Sequence, residues 1–163
     1  MTESVHYQKS SLREKIVEHV FIGEALRMLW CKKIVDAEIL RSEFDAFGYD
    51  LVLERGNVTR HVQLKSGLDK PSGIGVAQAL AKKKSGCVVY VQISENLDLQ
   101  NFYWFGGEPS NSLPAVDQFP LLKRTRPNKA GVKLERQNYR SLPTRAFEGP
   151  INLSDLLQRL LGR

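Results

Sequence analysis

Cysteine is scarce in this chain of 163 residues: only Cys31 and Cys87 occur, each inside an apolar stretch. Two such thiols supply neither a disulfide framework nor the paired spacing of a zinc site, and the pattern fits a reducing cytosol. Histidine is nearly as rare, and His6, His19 and His61 are too scattered to build a metal cluster. No apolar run approaches the roughly 18 residues of a membrane span. The opening MTESVHYQKS lacks the apolar core of a signal peptide. The expectation is a soluble, cytoplasmic protein with no membrane partner. Internal repeats and a domain linker are also missing, although 106–150 is rich in Pro, Gly, Asn and basic residues, so one domain over residues 1–163 is expected.

Acidic residues are in the minority, 18 against 24 basic ones, for a net charge of +6. The excess is local. Between Leu121 and Arg145 stand Lys123, Arg124, Arg126, Lys129, Lys133, Arg136, Arg140 and Arg145, opposed only by Glu135. A concentrated basic surface suits the phosphates of a nucleic acid. A solubilising loop is the alternative reading.

Hydrophobic periodicity gives the coarse order of elements. A helix is expected from Ser11 to about Lys33, capped by Ser10 or Ser11 with Glu14 completing a capping box. Strands are expected at Val35–Ser42, Tyr49–Arg55 and Val58–Ser66, the last two joined by the turn dipeptide Gly56-Asn57. A second helix is read over Ile74–Lys84, then strands at Cys87–Ser94 and Asn101–Phe105. The aromatic strand Tyr103-Trp104-Phe105 reads as core rather than as a stacking surface. A strand-like VKLER and a closing helix, Leu153–Leu161, capped by Asn152 or Ser154 and stopped by Gly162, complete the chain. The order is α-β-β-β-α-β plus additions, a mixed sheet flanked by helices.

The hairpin carries the chemistry. With Gly56 and Asn57 as its loop, Asp50 falls opposite Gln63, and alternation puts Lys65 on the same face. Leu51, Leu53, Val62 and Leu64 take the other face. A hard divalent cation such as Mg²⁺ or Mn²⁺ needs oxygen ligands, and one or two carboxylates with waters and phosphate oxygens suffice. Asp50 supplies a carboxylate, Gln63 an amide oxygen, and the Leu64 backbone carbonyl a third donor. Lys65 is placed to orient a water or to stabilise charge on a phosphate. A solvated outer face is the competing reading. Asp45 is a candidate auxiliary ligand or a turn cap. Lys82 lies four residues after Gln78 on the expected second helix, a spacing that lets both meet the site or a phosphate. In the first helix, Val17, Val20, Phe21, Ala25 and Met28 form an apolar stripe interrupted by Glu24, a carboxylate that needs a partner or a metal if buried.

Glu24 in FIGEAL, Asp50 in FDAFGYDLVLE and Gln63-Leu64-Lys65 in HVQLKSG together resemble the PD-(D/E)XK nuclease superfamily, which includes restriction endonuclease-like and Holliday-junction resolvase-like enzymes. The resemblance spans about Ser11 to Ser94 and departs from the usual pattern at Gln63, where an acid is commoner. It implies a restriction endonuclease-like αβββαβ core over about residues 11–105 with a basic C-terminal extension over about 106–163. It further implies Mg²⁺- or Mn²⁺-dependent hydrolysis of nucleic-acid phosphodiesters, DNA foremost, with Glu24, Asp50, Gln63 and Lys65 as the catalytic set. The basic residues Lys82, Lys123, Arg124, Arg126, Lys129, Lys133, Arg136 and Arg140 would then contact nucleic acid. A homodimer or a partner subunit fits cleavage of two strands. A neutral Gln63 also fits an inactive nucleic-acid-binding descendant.

Overall fold

The computed structural model describes residues 3–162. A short helix α1 (Glu3–Gln8) leads into α2 (Ser10–Cys31). Strands β1 (Ala37–Arg41), β2 (Leu51–Arg55), β3 (Val58–Gly67), β4 (Ile74–Ala77), β5 (Gly86–Ile93) and β6 (Leu99–Gly106) follow. The chain ends with β7 (Leu121–Lys123), β8 (Glu135–Leu142), β9 (Glu148–Ile151) and α3 (Leu153–Leu161). Together these form a mixed α/β fold with helices on a central mixed sheet. Six strands make that sheet, in the order β1-β2-β3-β5-β6-β9, and β4-β8-β7 make a second one. Only the β3–β5 pairing is parallel in the central sheet; its other neighbours are antiparallel.

Strand β5 is a run without a charged residue, and seven of its eight positions are buried. Such a strand needs cover on both faces. Cys87, Val89, Val91 and Ile93 look toward α2 and α3, where Val17, Phe21, Ala25, Leu29, Leu156 and Leu160 meet them. Val88 and Tyr90 look the other way, into a second core with Tyr103, Phe105, Val76, Leu80 and Leu142 from around the smaller sheet. Tyr103, Trp104 and Phe105 are all buried, as a core strand requires.

The β2–β3 hairpin has the register set by its turn, running from Leu51↔Val62 to Arg55↔Val58. Three expectations are corrected. The segment expected as the second helix, 74–84, is instead strand β4 followed by a 3₁₀ segment, Gln78–Lys82. Gly73 and Gly75 disfavour a helix there, and β4 finds a partner that local pattern does not reveal, pairing Ile74 with Leu142 and Ala77 with Tyr139. Gln78 donates to the Gln137 carbonyl at 2.8 Å, so it fastens β8 rather than facing a site. Helix α2 has Lys9, not a serine, before its first residue and no side-chain cap; the Lys9 N–H donates to the Val5 carbonyl of α1 at 3.0 Å, so α1 runs almost directly into α2. The chain after residue 106 is no appendage: β8 builds the second sheet, β9 edges the first, and α3 closes the core.

One buried cation ties these parts together. Arg60 on β3 is fully buried on the helix-covered face. Its Nε donates to the Leu160 carbonyl at 2.9 Å, and its Nη2 donates to Arg159 and Gly107 carbonyls at 2.9 and 2.8 Å. The guanidinium lies 5.1 Å from the Trp104 ring centroid. The last carbonyls of a helix lack intrahelical partners and carry the negative end of its dipole. Arg60 therefore caps α3 from the middle of the sheet. Arg60→Met strands these carbonyls in the interior and should cost on the order of 3 kcal/mol, read as a drop of about 10 °C in the melting midpoint. Arg60→Lys should recover only part of it, because an ammonium lacks the planar fork.

Candidate active site

Where β2 has not yet begun, the β2-side edge of β3 is left open while β5 still pairs with its other edge, and a cavity of about 220 Å³ opens between β3 and α2. Asp50, Gln63, Leu64 and Lys65 line it, joined by Asp45 from the β1–β2 loop and Glu14, Lys15 and Glu18 from α2. Asp50 stands one residue before β2. Its N–H donates to the Val62 carbonyl at 2.8 Å, and its Oδ2 accepts the Leu64 N–H at 2.7 Å. The N–H and C=O of a strand residue share one edge. The Leu64 carbonyl thus faces the same side as its N–H, toward Asp50 and past the end of β2. Gln63 and Lys65 share the sheet face opposite Val62.

Glu24 is not in this cavity. It is half-buried, pairs with Arg27 at 2.7 Å, and borders a separate apolar groove with Ile16, Val20, Met28 and Leu97. The buried stripe of α2 is Val17, Glu18, Phe21, Ala25 and Leu29, so the carboxylate turned inward is Glu18. Its Oε1 accepts from Arg41 Nε at 2.6 Å and its Oε2 from Lys15 Nζ at 3.2 Å. The periodic signal could not choose between the two glutamates. Leu12, Ile16, Val20, Leu26 and Trp30 occupy the solvent side, leaving α2 apolar almost all round and its rotational phase undetermined by pattern.

Asp45 both lines the cavity and caps its loop, its Oδ1 accepting the Gly48 N–H at 2.8 Å. Gly48 is required where it stands: φ is +79°, and a Cβ there would meet the Ala77 Cβ at 2.3 Å. That close approach docks the acidic loop on β4.

The electrostatics are strained by design of the pocket. Burial raises the Asp50 carboxyl above the ordinary carboxylate range, and Glu18 and Asp45 push it the same way. The Leu64 N–H and Lys65 pull against this without cancelling it. Gln63 is 3% exposed, and its Oε1 is buried with no hydrogen-bond partner among the described residues. A buried amide oxygen left without a donor is costly unless something else satisfies it. A cation is one such partner. Among the described residues no group of three or more His, Cys, Asp or Glu side chains is spaced to hold a metal ion. A Mg²⁺ site of one or two carboxylates completed by an amide oxygen, a carbonyl, waters and phosphate needs no such group. Asp50, the Gln63 amide oxygen and the Leu64 carbonyl are oxygen donors of the kind that ion takes.

Among the expected phosphate contacts, Lys123, Arg124, Arg126 and Arg136 surround an open depression of about 670 Å³ on the β7–β8 hairpin. Lys129 and Lys133 are exposed in its loop, and Lys82 is exposed at the end of the 3₁₀ segment. Arg140 differs: its Nη1 donates to the Phe119 and Asp117 carbonyls at 2.9 and 3.3 Å, so it braces the preceding loop. Strand β4 links hairpin and cavity, since Ala77 pairs with Tyr139 and abuts Gly48. No helix is long and apolar enough to cross a membrane among the described residues. Comparison of the sequence with protein-family models and with curated proteins gives no match.

A raised folded-state pKa means that ionised Asp50 costs stability above that pKa. The cost disappears as pH falls toward the unfolded value and both states take up the proton. Asp50→Asn keeps an acceptor for the Leu64 N–H and removes the charge. Melting curves should show it more stable than wild type at pH 7, with the gap closing on acidification.

Proposed function

We propose that this chain is a PD-(D/E)XK-type nuclease with a restriction endonuclease-like core, hydrolysing nucleic-acid phosphodiesters, DNA foremost, with Mg²⁺ or Mn²⁺. One observation carries the reading: Asp50, Lys65 and Gln63, whose Oε1 is buried without a donor, line one cavity with an acid from the first long helix. That acid is Glu18, in the role the resemblance gave Glu24.

Asp50, the Gln63 Oε1 and the Leu64 carbonyl would hold the cation, with Glu18 beside them. When bound, it would lower the pKa of a water and offset charge on the phosphate. Lys65 would position the attacking water or a non-bridging phosphate oxygen, and its ammonium would stabilise charge developing in the transition state. Lys15 and Arg41 hold Glu18 in place and add positive charge near the phosphate. The β7–β8 hairpin would carry the flanking phosphates.

A second reading, nucleic-acid binding without turnover, is favoured by two features: Gln63 adds no charge, and both Glu18 oxygens are engaged by Arg41 and Lys15. Purified protein assayed on single-stranded, duplex and branched DNA and on RNA, with Mg²⁺ or Mn²⁺, separates the two. Cleavage should fall about 10²- to 10³-fold in Lys65→Ala. Glu18→Gln should impair it while Glu24→Gln leaves it intact. Binding with no divalent-dependent cleavage selects the second reading, and cleavage indifferent to Lys65 and Asp50 removes the proposed site. Gln63→Glu should lower the Mg²⁺ concentration giving half-maximal activity, whereas Gln63→Leu should raise it.

Neutralising Arg124, Arg126 and Lys133 should weaken binding and flatten its dependence on salt by roughly one unit of log–log slope per lost phosphate contact. Unchanged affinity would make the hairpin a solubilising element.

A further inference from the structure

The β1–β2 loop presents two large apolar side chains to solvent, and its Asp45 lines the polar cavity. Phe44 is 73% exposed and Phe47 is 39% exposed. Leaving such rings in water forgoes much of what their burial would contribute. The loop is nevertheless held. Ser42 Oγ and the Ala46 N–H both donate to the Phe44 carbonyl, at 2.8 and 3.1 Å. The Ser42 N–H donates to the Asp50 carbonyl at 2.8 Å, and Asp45 caps Gly48. Between the two phenylalanines in the sequence is Asp45, itself a lining residue of the cavity.

The surroundings of Phe47 match a nucleotide. Lys83 Nζ lies 4.0 Å from the centre of its ring and 5.5 Å from that of Tyr49. Tyr49 in turn meets the His61 ring edge-on at 4.9 Å. Lys83 covers one face of Phe47 and brings charge for a phosphate, so a base would stack on the opposite face of that ring. A base inside a duplex has both faces covered by its neighbours, so a stacking platform selects an unpaired or unstacked one.

We infer that Phe44 and Phe47 form a stacking subsite for an unpaired nucleobase next to the scissile phosphate. The substrate class is accordingly nucleic acid with single-stranded character, such as a flap, fork or free strand. The inference rests on the proposed phosphodiester chemistry of the neighbouring cavity.

The test measures binding of the full chain without divalent cations, so that nothing is cleaved. A fluorescent single strand is compared with a blunt duplex of the same sequence, and a strand carrying 2-aminopurine reports stacking by quenching. Wild type should prefer the single strand and quench the probe. Phe44→Ala/Phe47→Ala should reduce the ratio of single-strand to duplex affinity roughly ten-fold or more, since stacking on an aromatic side chain contributes about 1–3 kcal/mol per base. It should also abolish quenching. Phe44→Trp/Phe47→Trp should restore both, and Phe44→Leu/Phe47→Leu, which keeps apolar area without a π face, should not. Both side chains are exposed, so circular dichroism should be unchanged in every variant. An unaltered affinity ratio, or rescue by leucine, overturns the subsite; if the same proteins assayed separately with Mg²⁺ show Lys65-dependent cleavage, the nuclease reading stands without it. A protein that binds neither nucleic acid overturns both.

Discussion

The architecture depends on placing one guanidinium in the interior. Arg60 leaves β3 on its core face and meets the carbonyls that α3 cannot satisfy for itself, together with that of Gly107 at the end of β6. Isolated burial of a charge would cost many kcal/mol. Three carbonyl acceptors, the negative end of a helix dipole and the face of Trp104 offset that cost together. Since Arg60 is three residues before Gln63 on the same strand, the contact that closes the core also fixes the strand carrying the candidate site.

Strand β3 therefore works on both faces. Arg60 and Val62 look into the helical core, while Gln63 and Lys65 look into the cavity, the alternation that a pleated strand enforces. Beyond Val62 its neighbour β2 gives out, and Asp50 takes over the pairing with a side chain, accepting the Leu64 N–H that a strand would have used. A carboxylate substituted for a backbone carbonyl at a strand end is well placed for chemistry because it is at once ordered by the sheet and open to the cavity.

Sequence made legible what short-range physics decides. A Gly-Asn turn fixed the β2–β3 register through the paired strands, and the Asn152 cap and Gly162 stop bounded α3 to the residue. What escaped depended on partners distant in the chain. The strand character of Ile74–Ala77 comes from β8, more than sixty residues on. Glu18 escaped for a different reason. Its helix is apolar on most of its circumference, so a 3.6-residue period fits several rotations, and only packing against Phe102, Val89 and Leu156 selects the one that turns Glu18 inward. Asp50, Gln63 and Lys65 were readable because a strand has two faces and a known register; Glu18 was not, because a helix surface is continuous.

The site itself runs against the stability of the fold. Asp50 is pushed toward protonation by burial and by Glu18 and Asp45, and the Gln63 oxygen has no donor. Acids gathered this way are kept tolerable by Arg41 and Lys15 on Glu18 and by Lys65 facing Asp50. Such a balance is responsive: added positive charge relieves Asp50 directly and gives the Gln63 oxygen a partner. On the proposed reading a nucleic-acid phosphate would do the reverse, drawing on the positive charge of Lys15, Arg41 and Lys65 and leaving the acids less neutralised. The two proposed ligands would then complement each other, because each would supply the charge that the other leaves uncompensated. On this electrostatic ground cation and phosphate should bind cooperatively, and the cost of assembling the acids is recovered only when both are present.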